Sequence, residues 1–113
     1  MNPVDALKFR LQDSNFSAIA FYFAVDEVCR VFRIKNHQRI LQPRLKHEHT
    51  ARDYLVHALV YICRLGPATT ARLLGAHPDM VTVVASTIRR GCKFDRQTFA
   101  TVRRIREELA PYK

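Results

Sequence analysis

The sequence predicts an all-α domain of five to six helices, and three observations carry that expectation. Apolar residues recur at spacings of three and four along most of the chain, as helices with one buried stripe require. No window alternates with period two over four or more residues, and the β-branched run near Val83 is short and flanked by helical signals. Gly66-Pro67, Gly75, Pro78, Gly91 and Asp95 divide the pattern into segments of helical length.

Residues 17–33, SAIAFYFAVDEVCRVFR, place Ile19, Phe23, Val28, Val31 and Phe32 at helical spacings, with Ser17 as N-cap. A short helix runs from His37 to Leu41 behind Asn36 and ends before Pro43. The polar stretch QPRLKHEH is expected to be an exposed loop. Thr50-Ala51-Arg52-Asp53 has the form of a capping box with Asp in the Glu position. It opens a long helix that buries Leu55, Leu59 and Ile62, with Cys63 a further core candidate, and that Gly66-Pro67 stops. PATTARLLGAHP gives a short helix and a tight turn through Gly75. Pro78 or Asp79 then starts DMVTVVASTIRR, which Gly91 is expected to end, and Asp95 caps a final helix to about Leu109. Phe99, Val102, Ile105 and Leu109 share one stripe of that helix.

The length of 113 residues, with 48% hydrophobic and 26% charged residues, is that of one globular domain. Lys and Arg number 19 against 10 Asp and Glu, a formal charge of +9, and the pI is near 10.1. Residues 1–33 balance four bases against four acids, so the whole excess lies in residues 34–113. A positive field confined to one part of a chain is the footprint of a polyanion site.

No apolar run approaches the ~20 residues of a membrane span. The start Met1-Asn2-Pro3-Val4-Asp5 lacks the basic and apolar regions of a signal peptide. Cys29, Cys63 and Cys92, odd in number and far apart, fit reduced thiols in a cytoplasmic protein. Gly66, Gly75 and Gly91 form neither a P-loop nor a dinucleotide fingerprint, so no nucleotide and no cofactor is expected. No Ser-His-Asp or paired-carboxylate set is present to argue for an enzyme. His47-Glu48-His49 with His57 has metal-ligating residue types, but zinc needs four well-placed ligands and no cysteine lies near, so no metal is expected.

Residues 67–75 and 78–90 form a short helix, a Gly-containing turn and a second helix, the layout of a helix-turn-helix. In that motif the first helix crosses the phosphate backbone and the second enters the major groove.

From about Val25 to Leu109 the chain resembles the C-terminal DNA-binding domain of the bacterial replication initiator DnaA, which has a tryptophan-repressor-like fold. Phe32-Arg33-Ile34-Lys35 looks like the family's aromatic-x-Ile-Lys helix end. Leu41-Gln42-Pro43-Arg44-Leu45-Lys46 is similar to the leucine and basic loop that follow it, and Ala51 to Leu65 suits the next amphipathic helix. The family's signature at the recognition helix is Arg-Asp-His-Thr-Thr-Val. Pro78-Asp79-Met80-Val81-Thr82-Val83 matches it at Asp79, Thr82 and Val83 and departs at the Arg, the His and the first Thr. Aligning the expected burial stripe of Val81, Val84, Ala85 and Ile88 instead shifts the frame by two residues.

The resemblance implies a stand-alone DNA-binding domain over residues 25–113, preceded by an extension over 1–24 that includes the start of an apolar helix. It also implies a bacterial, cytoplasmic and nucleoid-associated regulator of transcription or replication initiation, without the ATPase module of full-length family members. Arg44 and Lys46 would lie on the loop that reaches the minor groove or backbone. Thr69, Thr70 and Arg72 would meet phosphates from the first motif helix. His77, Asp79, Met80, Thr82, Val83 and Ser86 would line the recognition helix, Asp79 chiefly as its cap. Met80 and Val81, which stand where the family has His and its first Thr, are suited to thymine methyl groups. Arg89, Arg90 and Lys93 would meet phosphates at its far end. Arg103, Arg104 and Arg106 are expected to be mostly solvated, with pairing to Glu107 or Glu108.

The stretch from Phe16 to Val25, FSAIAFYFAV, is apolar all round for one core stripe, so that helix is a candidate surface for a homodimer or a protein partner. The alternative to a sequence-specific duplex-DNA binder is therefore a protein–protein adaptor. Such an adaptor would dock through this helix and bind DNA only non-specifically.

Overall fold

The computed structural model describes residues 15–110, and all the regular structure among them is helical. Six α-helices follow one another: α1 Asn15–Val31, α2 Gln38–Leu41, α3 Lys46–His57, α4 Gly66–Leu74, α5 Pro78–Phe94 and α6 Arg96–Leu109. A π-helical turn, Ala58–Ile62, continues α3 without a break.

α1 starts two residues before the expected Ser17 cap and ends in a hydrogen-bonded reversal. Ile34 N–H donates to the Cys29 carbonyl at 2.8 Å and Arg33 N–H to the Arg30 carbonyl at 3.2 Å, with Arg33 in the left-handed region at φ 57°. That pair of bonds is a Schellman cap, built here on arginine where glycine is usual. Arg30 holds Asp26 and Glu27, each at 3.2 Å. α2 forms as expected, with Asn36 Oδ1 accepting the Gln38 N–H at 3.0 Å and Ile40 buried beneath it.

α3 begins four residues before the expected capping box. Its N-terminus is closed by Glu48, whose Oε1 accepts the backbone N–H groups of Arg44 and Leu45 at 3.0 and 2.9 Å. The exposed loop is thus shortened to residues 42–45, and Glu48 is buried with its carboxylate spent on the cap. The Arg52 guanidinium donates to the Leu41 carbonyl and ties α3 to α2.

Residues Tyr54 to Val60 are buried without interruption, so α3 is covered on all sides and forms the centre of the domain. One side faces the larger core, where Leu55, Leu59 and Ile62 meet Val28 of α1, Ile40 of α2, and Ile105 and Leu109 of α6. Burying each such side chain contributes about 1.5–3 kcal/mol. The other side carries Val56 and Val60 against Ala71 of α4 and Val81 and Ala85 of α5.

Gly66-Pro67 does not stop α3. The π turn closes through Cys63 N–H to the Ala58 carbonyl at 2.8 Å, and Arg64 at φ 59° turns the chain, so Gly66 and Pro67 instead open α4. α4 ends as expected at Gly75, φ 64°, where Ala76 N–H reaches the Ala71 carbonyl at 2.9 Å. Gly91 does not end α5 either, because the helix runs on to Phe94. Its missing side chain leaves room for α6, since a Cβ there would lie 3.2 Å from Thr98 Cγ2. Asp95 caps α6, Oδ1 accepting from Gln97 N–H at 3.1 Å and Oδ2 from Thr98 Oγ1 at 2.8 Å. Val102, Ile105 and Leu109 are buried, whereas Phe99 is 53% exposed and stands off the stripe assigned to it.

The apolar α1 is largely absorbed by its own domain. Ala20, Ala24 and Val25 are buried and Phe21 and Phe23 pack against the core, which leaves Tyr22, 64% exposed, as its large outward aromatic.

Candidate nucleic-acid interface

α5 is held by a burial stripe, and that stripe decides which residues face outward. Val81 and Ala85 are buried and Val84 and Ile88 half-buried. The 3.6-residue period then turns Asp79, Thr82, Val83, Ser86, Arg90 and Lys93 to the opposite side. Met80 flanks them, and Val83 is 64% exposed. The stripe expected from the spacing is the one α5 buries, and Val81, 0% exposed within it, is turned away from any thymine methyl because it packs against Val56 and Val60.

The start of α5 differs from expectation in one respect. His77 is the N-cap, its Nδ1 accepting the Asp79 N–H at 3.1 Å, and Pro78 occupies the first turn. His77 is already extended and one residue ahead of the proline, which leaves the capping position to its imidazole. Asp79 lies inside the first turn, where its charge favours the helix dipole and its carboxylate stays in solvent. Thr82 Oγ1 donates to the Pro78 carbonyl at 3.1 Å and Thr87 Oγ1 to the Val83 carbonyl at 2.8 Å. Both hydroxyls therefore keep free lone pairs outward, as acceptors for an amino group.

On α4, Arg72 is exposed and Thr69 half-buried, but Thr70 is 0% exposed. The helix turns Thr70 inward beside Ala71, so its hydroxyl cannot reach a phosphate, and it finds no hydrogen-bond partner among the described residues. Arg44 and Lys46 are both exposed, Arg44 on the short loop and Lys46 on the first turn of α3. Glu48 fixes the Arg44 backbone, so that side chain leaves from a pinned position.

At the far end of α5, Ser86, Arg89, Arg90 and Lys93 come together with Tyr61 of the π turn around a cavity of about 240 Å³. The Arg89 guanidinium lies over the Tyr61 ring, 4.8 Å from its centroid. Side-chain hydrogen bonding from Ser86 and then Arg89 holds the Tyr61 hydroxyl below the usual phenol pKa. Tyr61 was not among the expected site residues. It sits in a run that spacing assigns to core, and nothing near it in the chain marks its pairing with Arg89.

A second cavity, of about 340 Å³, lies between His57, Arg89, Cys92 and Arg106. His57 is 3% exposed, and burial, with Arg106 and Arg89 beside it, depresses its pKa to about 4. It is neutral at pH 7. Burial raises the Cys29 thiol to about 11 and lifts Cys92 above its ordinary value, so both stay protonated at neutral pH. Arg103 pairs with Glu107 at 3.0 Å, which leaves it less free than its neighbours for an anion.

Among the described residues no group of three or more His, Cys, Asp or Glu side chains is placed to hold a metal ion, and no helix is long and apolar enough to cross a membrane. No protein-family model, no curated protein and no solved structure matches the chain.

Proposed function

We propose that this protein binds double-stranded DNA in a sequence-dependent way, with α4 and α5 acting as a helix-turn-helix of the tryptophan-repressor-like type. In this reading α5 enters the major groove and the Arg44–Lys46 segment lies on the backbone or in the minor groove. The observation that carries it is the outward side of α5. Met80, Thr82 and Val83 lie open on its first two turns, Arg89, Arg90 and Lys93 are exposed further along the same helix, and Arg72 is exposed on α4. Apolar and hydroxyl side chains at the N-terminal end suit base edges, and the cations suit phosphates. The similarity of Phe32-Arg33-Ile34-Lys35 and of the Leu41–Lys46 loop to the initiator's DNA-binding domain supports the same reading. It suggests control of transcription or replication initiation at the nucleoid as the role.

The test is a selection from random duplex DNA at physiological salt, followed by titration of the winners over a range of salt. A recovered motif, with affinity falling steeply as salt rises, is the expected result. Weak binding that ignores sequence would sink the proposal and favour the adaptor, docking through the α1 side that presents Tyr22.

A further inference from the structure

We propose that the cavity between Tyr61 and the C-terminal half of α5 is a seat for a single phosphate oxyanion, occupied in the complex by one phosphodiester of the duplex. This rests on the DNA reading above and gives the phosphate contact a built site. The lining supplies three cations, Arg89, Arg90 and Lys93, two hydroxyls, Tyr61 and Ser86, and no carboxylate. None of the ion pairs between described residues uses those three cations, so their charge is not cancelled locally.

Tyr61 is the positioning residue. Its neighbours Val60 and Ile62 are buried and its ring lies 5.3 Å from the buried His57 ring, so it is anchored in the centre of the domain. Arg89 stacks on that fixed ring, which orients a side chain that would otherwise sample many rotamers. Ser86, Arg90 and Lys93 follow at helical spacing on the same side of α5, so the donors converge without any loop having to close. The Tyr61 oxygen itself reports the field of the cavity: the same side chains that favour its ionised form favour any anionic oxygen placed there.

The experiment uses the full chain, short duplexes carrying single neutral methylphosphonates, and the variants Arg89→Gln, Lys93→Gln, Tyr61→Phe and Tyr61→Leu. Arg89→Gln and Lys93→Gln are each expected to weaken binding about ten-fold, the value of a charge-assisted hydrogen bond. Each should also reduce the slope of log affinity against log salt by about 0.9, one phosphate's share. Tyr61→Leu weakens binding, whereas Tyr61→Phe keeps the stacking ring and restores most of it. One methylphosphonate position reproduces the loss, and has no further effect in Arg89→Gln. Unchanged affinity and salt slope in both cation variants overturns the seat while leaving the DNA reading intact. Should the native chain retain no duplex, titration with inorganic phosphate followed by amide NMR decides. Saturable shifts at Ser86, Arg89 and Lys93 that vanish in Arg89→Gln keep the seat, for free phosphate, without the DNA reading. A flat titration removes both.

Discussion

The Glu48 carboxylate accepts the backbone N–H of Leu45 at 2.9 Å and, through the same oxygen, that of Arg44 at 3.0 Å. One acid thus closes the start of α3 and fixes the backbone from which the Arg44 side chain projects. Those two backbone hydrogen bonds are the main reason the Glu48 pKa is lowered from 4.5, with Arg39, 3.8 Å away, adding to them. A carboxyl with a depressed folded pKa stabilises the protein above its unfolded pKa and loses that contribution as pH falls through the folded value. Glu48→Gln is therefore expected to lower the thermal midpoint at pH 7 and to lose part of the acid-induced destabilisation below about pH 4.5. Thermal unfolding from pH 3 to 7 checks both, and duplex binding should weaken with the same substitution as Arg44 is released.

His57 acts in a different pH window. Its folded pKa of about 4 lies below the 6.5 of an unperturbed histidine, so between those values the unfolded chain binds a proton that the folded chain does not. Stability contributed by the neutral imidazole is complete above pH 6.5, declines as pH falls towards 4 and is level below it. At 1.36 kcal/mol per pKa unit the loss is about 3 kcal/mol. Urea midpoints measured from pH 7 to pH 4 should show this slope in the native chain and lose it in His57→Phe, which keeps a ring in the same space.

The places where sequence and structure part have physical reasons. Gly75, Asn36 and Asp95 act as their chemistry predicts because a left-handed turn and a side-chain cap are local events. Gly91 looked like a helix end, but its role depends on Thr98 across a helix junction, and no local signal distinguishes a stop from a spacer. Glu48 looked solvated in a basic run because its task is to hold two backbone groups that precede it, with a leucine where a capping Ser or Thr is usual. The outward side of α5 was legible from the period of Val81, Val84, Ala85 and Ile88. The Tyr61–Arg89 contact was not, since only the packing of the π turn on α5 creates it.

Thr70 carries a buried hydroxyl with no hydrogen-bond partner among the described residues. Thr70→Val removes the unpaired polar group at constant shape and is expected to stabilise the fold by about 1 kcal/mol, the lower end of the cost of an unsatisfied buried group. Chemical denaturation checks the stability. Duplex affinity should be unchanged, and a loss of affinity would restore Thr70 to the interface.

At Gly91 a helix interior would ordinarily gain about 0.5–1 kcal/mol on substitution by alanine. Here the new Cβ meets Thr98 Cγ2 at 3.2 Å, and Thr98 is held in place by its hydrogen bond to Asp95. Gly91→Ala is therefore expected to yield no gain or a small loss. Adding Thr98→Ser, which deletes the methyl and keeps the hydroxyl, should recover a stabilisation of about 0.5–1 kcal/mol relative to Thr98→Ser alone. Denaturant unfolding of the four-member cycle measures it, and simple additivity would remove the steric account.

On the proposed DNA reading, the outward residues of α4 and α5 divide into readers of bases and holders of phosphates, and the two classes predict different binding phenotypes. Val83 and Met80 present apolar surface on the first two turns, where a thymine methyl is the complementary group. Val83→Ala should cost about 1–3 kcal/mol on the preferred duplex and almost nothing on unrelated sequences, so that discrimination collapses while non-specific binding stays. Arg72, exposed on α4, should behave oppositely: Arg72→Ala weakens all duplexes alike and lowers the salt slope by about 0.9. Binding isotherms on the selected duplex and on a scrambled one, each at several salt concentrations, separate the two. Equal losses on both duplexes for Val83→Ala would show that α5 touches the backbone there and that base reading lies elsewhere.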